Sequence, residues 1–97
     1  MYARMVIGEA SSQDQVREFM SIYTTEVLPE LEREPGFDSA HLMLEEGGNM
    51  AVSLTMWRTR EHCLKYHSSR CYRQFVAKTQ HLLVGSLVVK IFEDHRE

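Results

Sequence analysis

A tyrosine–histidine pair, Tyr66-His67, and an arginine set inside an apolar segment, Arg4 in Tyr2-Ala3-Arg4-Met5-Val6-Ile7, are the residues whose chemistry stands out. An imidazole ionises near neutral pH, so His67 suits general-base work on a weakly acidic group. Its competing reading is a helix-surface histidine with no chemical task. Tyr66 could donate a hydrogen bond to a substrate oxygen, or serve as a core ring with a satisfied hydroxyl. Arg4 is costly in an apolar strand unless it pairs with a carboxylate or holds an anion in a wet cavity. His41 fits a sheet edge, His62 and His81 fit exposed helix positions, and His95 belongs to a charged tail.

Cys63, His67 and Cys71 recur every four residues, which invites a metal reading. On a continuous helix the outer two stand ~12 Å apart along the axis, too far for one zinc ion or for a disulfide. No metal site is expected. The chain also lacks a phosphate-cradling glycine loop, a dinucleotide fingerprint and a nucleophile elbow.

Ninety-seven residues allow one domain over 1–97, since a second core would need roughly 100 residues of its own. Hydrophobic residues make up 43 % and charged residues 26 %, a globular balance that rules out disorder. The formal charge is −3, and Arg58, Arg60, Lys65, Arg70 and Arg73 are interleaved with Glu61, Ser68 and Ser69. Without a basic stripe, no nucleic-acid partner is expected. The apolar runs Leu82–Val84 and Leu87–Val89 fall far short of the ~20 residues of a membrane span. Residues 1–10 carry no cleavage-site pattern, and two cysteines fit a reduced, cytoplasmic chain.

The elements that must position these residues follow from periodicity. Tyr2 to Gly8 reads as a strand. Ser12, with Gln15 at capping-box spacing, opens a helix whose stripe is Val16, Phe19, Met20, Tyr23, Val27, Leu28 and Leu31. Pro29 should kink or restart it, and Pro35-Gly36 should end it. Ser39–Glu45 and Met50–Trp57 form a hairpin around Gly47-Gly48. Thr59 caps a second helical region to about Leu83, interrupted at Ser68-Ser69, with Phe75 and Tyr72 among its apolar positions. Ser86 to Phe92 is the last strand.

The order βαββαβ implies an α+β, ferredoxin-like sandwich, a four-stranded antiparallel sheet with two helices on one face. Leu87, Val89 and Ile91 point one way and Val88 and Phe92 the other, so the sheet has a second apolar face. An identical sheet packed across a two-fold axis would cover it, burying roughly 2,000 Å² or more. A homodimer is expected.

Leu28-Pro29, then Pro35-Gly36-Phe37, the hairpin, Trp57-Arg58-Thr59, Tyr66-His67-Ser68-Ser69 and Tyr72 to Phe75 together resemble the antibiotic biosynthesis monooxygenase family. The likeness runs from Tyr2 to about Phe92. It implies a dimeric α/β barrel of ferredoxin-like halves, each with a pocket between sheet and helices. That pocket would draw on Arg4, His41, Trp57, Tyr72 and Phe75 for substrate binding, beside His67 and Tyr66 as catalytic residues. Many members carry a histidine on the second helical region, which counted from Trp57 falls on Tyr66, next to His67. A second such position falls on Cys71. The residues that haem-degrading members use fall near Arg4, Tyr66 and Val76, and valine offers no axial ligand.

Members of this family oxygenate phenolic or quinol-type compounds without metal or flavin, and the resemblance implies that activity on a small aromatic substrate. The substrate supplies the electrons. The protein needs a dry apolar pocket, a base and a donor to hold an oxyanion. The alternatives are a non-catalytic dimeric module that binds a small hydrophobic ligand, and a haem-degrading enzyme.

Overall fold

Eight residues of alternating burial, Tyr2–Glu9, form the central strand β1. The computed structural model describes residues Met1–Arg96. β2 (Phe37–Leu44) and β3 (Met50–Trp57) make the hairpin, and β4 (Val88–Glu93) is the final strand. The sheet order is β2-β3-β1-β4 with every pairing antiparallel, the arrangement of a ferredoxin-like α+β fold. A bulge at Asp38 lets both Phe37 and Ala40 turn toward the helices.

Ser12 caps α1 (Gln13–Ile22) by accepting from the Gln15 amide, as its spacing predicts. The chain then makes one π-helical turn, Tyr23–Val27, before α2 (Leu28–Leu31). Pro29 opens α2 directly after this turn, where its missing amide hydrogen cannot continue an α-ladder. The Leu28 amide instead reaches back to the Tyr23 carbonyl, and the hydroxyls of Thr24 and Thr25 bond to carbonyls at Met20 and Ser21. The extra residue keeps Phe19, Tyr23, Val27 and Leu31 on one buried stripe. Pro35-Gly36 then reverses the chain. Gly36 has φ +78°, and a side chain there would collide with the His62 ring.

Thr59 caps α3 (Arg60–His67) and Ser69 caps α4 (Arg70–Thr79), with the break at Ser68-Ser69 where serine chemistry placed it. A 3₁₀ turn, Gln80–Leu82, follows, and Gly85 (φ +74°) turns the chain toward β4. The last strand begins two residues later than the sequence suggests, at Val88. All helices lie on one face, packed over Val6 of β1 and Ala51, Ser53, Thr55 and Trp57 of β3. The opposite face carries Met5, Ile7, Val52, Leu54, Met56, Met43, Val88 and Phe92. Met43, Val88 and Phe92 are 45 %, 48 % and 46 % exposed, so in the single chain this apolar face is uncovered. Among the described residues no helix is long and apolar enough to cross a membrane.

Leu31 is fully buried where the π-turn delivers it. Leu31→Ala should lower unfolding free energy by about 3 kcal/mol, read from urea denaturation. A loss below about 1 kcal/mol would show that the stripe is not the anchor of this helical segment.

Candidate functional site

Strand parity sends Arg4 toward the helices, and there it is 2 % exposed. Its backbone is held by its neighbours. The Trp57 indole Nε1–H donates to Thr55 Oγ1 at 2.9 Å, and Thr55 Oγ1–H donates to the Arg4 carbonyl at 3.4 Å. Its guanidinium meets only neutral groups. Nε and Nη2 both reach His67 Nδ1, at 3.2 and 3.1 Å. Cζ lies 4.0 Å from the centroid of the Tyr72 ring and 5.3 Å from that of Tyr66. Among the described residues no carboxylate forms an ion pair with it. Buried arginines are ordinarily paired with acids, and a charge balanced only by an imidazole lone pair and ring faces keeps capacity for an anion.

This contact fixes the state of His67. Two donors converge on Nδ1, so Nδ1 carries the lone pair and Nε2 the hydrogen. Burial of that edge, then the neighbouring Arg4 charge, push the imidazole below its ordinary pKa, although the outer edge of the residue is exposed. His67 is thus neutral at cellular pH. It ends α3, stacked on Tyr72 at 5.8 Å between ring centroids.

Tyr66 is buried and stacks on Trp57 at 5.1 Å. Burial raises its pKa strongly, followed by the adjacent Cys71 thiol. Burial, as the largest cause, also raises the Cys71 and Cys63 thiols, and both cysteines are free.

Arg4, Tyr66, Tyr72 and Phe75 share one cavity between sheet and helices, while His67 closes its edge through Arg4. The cavity is about 10 Å³, room for one water. Trp57 and His41 lie elsewhere. Trp57 is fully buried behind Tyr66, where it packs α3 onto the sheet and does not line the cavity. His41 pairs with Leu54 on the uncovered face of the sheet and is exposed. Three polar lining residues were not singled out as site residues from the sequence: Tyr23, Ser53 and Thr55, with Ser53 Oγ–H donating to Tyr23 Oη at 3.0 Å. Alternation backward from Trp57 would have pointed Thr55 and Ser53 at the helices.

Residues 11–78 match the family described as antibiotic biosynthesis monooxygenase. No curated protein matches the chain. Among solved structures, the monooxygenase of ActVA-Orf6 from Streptomyces coelicolor, in complex with nanaomycin D, superposes with a TM-score of 0.86 at 14 % identity. That match covers 99 % of this chain and 88 % of the other. SnoaB, a cofactor-independent oxygenase from Streptomyces nogalater, gives 0.81 at 14 % identity over 99 % and 94 % of the two chains. Rv0793 from Mycobacterium tuberculosis gives 0.79 at 18 % identity over 100 % and 98 %. At these identities the likeness shows a shared fold.

Two measurements check the electrostatics. In an NMR titration the His67 imidazole should titrate below 6.5, and Arg4→Met should move it upward. Because the folded chain resists protonating His67, stability should fall as pH drops from 6.5 through that lowered value, and show no His67 term above 6.5. Arg4→Met itself should leave stability unchanged or raise it by up to about 4 kcal/mol, since it removes a buried charge without an acid partner. A clear loss in melting temperature would make Arg4 a structural residue.

Proposed function

This chain belongs to the antibiotic biosynthesis monooxygenase family, whose name supports a monooxygenase-type function, and from that premise we propose that it is a cofactor-independent monooxygenase of a small phenol- or quinol-like aromatic compound. One observation carries the reading. The Arg4 guanidinium is buried beside a cavity, and only neutral groups balance it. A phenolate is the missing counter-charge, and ring faces already line its seat.

The Arg4–His67 contact supplies a proton route. The incoming phenol gives its proton to His67 Nδ1 while the Arg4 N–H donors move from that nitrogen to the new oxyanion. Ionisation makes the ring electron-rich. It passes an electron to dioxygen, and the radical pair closes a carbon–oxygen bond. One oxygen atom stays as a carbonyl and the other leaves as water. The apolar walls from Phe19, Val27, Leu31 and Phe75 exclude solvent from these steps.

The uncovered sheet face supports a homodimer, with Met43, Val88 and Phe92 meeting their counterparts. Two free thiols fit a reducing, cytoplasmic setting. A ligand-binding role without turnover is the second reading, favoured by the apolar lining of Phe19, Val27, Leu31 and Phe75, which suits a hydrophobic ligand whether or not it reacts.

Oxygen uptake with a panel of dihydroquinones and anthrones, in metal-free and flavin-free buffer, tests the reading. At least one compound should be consumed. kcat/KM should rise with pH to a plateau through a midpoint below 6.5, since the free enzyme must hold a neutral His67. Arg4→Met should lower kcat/KM by about 10²-fold or more while remaining folded. Melting-temperature shifts with these compounds and no oxygen consumption would favour the binding module instead.

A further inference from the structure

The cavity beside Arg4 is about 10 Å³, and a single benzene ring needs roughly 150 Å³. A side chain must move before any aromatic ligand can reach the guanidinium. Two larger openings adjoin the cavity. The first is a groove of about 550 Å³ between α4 and the Tyr23–Leu31 segment. It shares Val27 and Phe75 with the cavity, both buried, and Phe75 is held edge-on by the Phe19 and Tyr23 rings at 5.2 and 5.9 Å. A Lys78–Glu26 ion pair ties its rim together. That wall is locked.

The second opening is a depression of about 370 Å³ formed by Tyr72, Arg73, Val76, Ser86 and Leu87. Tyr72 alone lines both it and the inner cavity. The residue is half-buried and sits in the first turn of α4, where a change of side-chain rotamer leaves the helix ladder intact. Its ring rests on a group that would attract a phenolate more strongly, the guanidinium 4.0 Å away, and stacks on the His67 ring 5.8 Å away. The neutral phenol of Tyr72 has the shape of the proposed ligand and lacks only its charge.

We propose that Tyr72 occupies the seat of an aromatic oxyanion ligand, and that the ligand reaches Arg4 by turning this ring out into the depression beside Val76 and Leu87. The inference rests on the oxygenase reading for the ligand's chemistry alone. Exchange of one ring for another over Arg4 keeps the cation–π contact and adds a full charge–charge attraction. It also sets specificity: the seat is one ring wide, and further rings of a ligand must lie in the outer depression.

The probe is 4-nitrophenol, whose anion is coloured and which does not turn over, followed by stopped-flow absorbance with the whole chain. Tyr72→Ala should bind it at least tenfold faster than the wild-type protein. Leu87→Trp, which fills the depression without touching Arg4, should slow association at least tenfold. Equal rates in all three proteins would overturn the proposal while leaving a phenolate site at Arg4 in place. Absence of binding to all three would overturn both. If Tyr72→Ala fails to fold, the comparison of Leu87→Trp with wild type decides: slowed association supports the seat, and an equal rate removes it.

Discussion

A guanidinium without an acid, enclosed between a sheet and its helices, is the constraint around which this domain is arranged. Desolvating such a charge is expensive, and here only neutral groups offset it. They are aimed from two elements: the imidazole and one ring from the end of α3, the other ring from α4. The Ser68-Ser69 break is what makes this convergence feasible, because it turns α4 so that Tyr72 and His67 stack over the same cation. Beneath, Trp57 and Thr55 hold the Arg4 backbone, so the head group has little freedom to escape toward water.

The same domain leaves its other sheet face apolar and uncovered while sealing the helical face tightly. The helical side concentrates aromatic rings, with Phe19, Tyr23, Phe75, Tyr66 and Trp57 packed edge-on or stacked. Such interiors resist small distortions, so adaptation to a ligand must fall on the half-buried residues at the margin. Polar atoms inside are accounted for: among the described residues no buried side-chain donor or acceptor lacks a partner. The polar network therefore specifies one closed arrangement.

Much of this was legible in the residues. β3 runs over Met50–Trp57 in both sequence and structure, because β-propensity, alternation and a glycine turn all agree there. Ser12, Thr59 and Ser69 cap helices because a hydroxyl before an amphipathic run has one favourable use. Arg4, Tyr66, Tyr72 and Phe75 come together, since strand parity and helix spacing aim them at a common layer. Trp57 and His41 do not join them. A tryptophan at a strand end can serve as wall or floor, and only the rotation of α3 decides. His41 has the opposite parity from the pocket once the Asp38 bulge is counted, and a bulge leaves little trace in a sequence. That Arg4 would meet His67, 63 residues on, was beyond local pattern, as all long-range partnerships are.

The π-turn at Tyr23–Val27 has a bearing on the history of such chains. It is in effect a one-residue insertion recorded in the backbone. Loss of an exposed residue there, Thr24 or Thr25, would close the turn into ordinary α-helix and still leave Phe19, Tyr23, Val27 and Leu31 spaced by threes and fours. Lineages can thus gain or lose a residue in the middle of a core helix without shifting the frame of anything buried. A gap in an alignment at this point would then mark a change of helix type, with both ends of the helix still in register with the sheet.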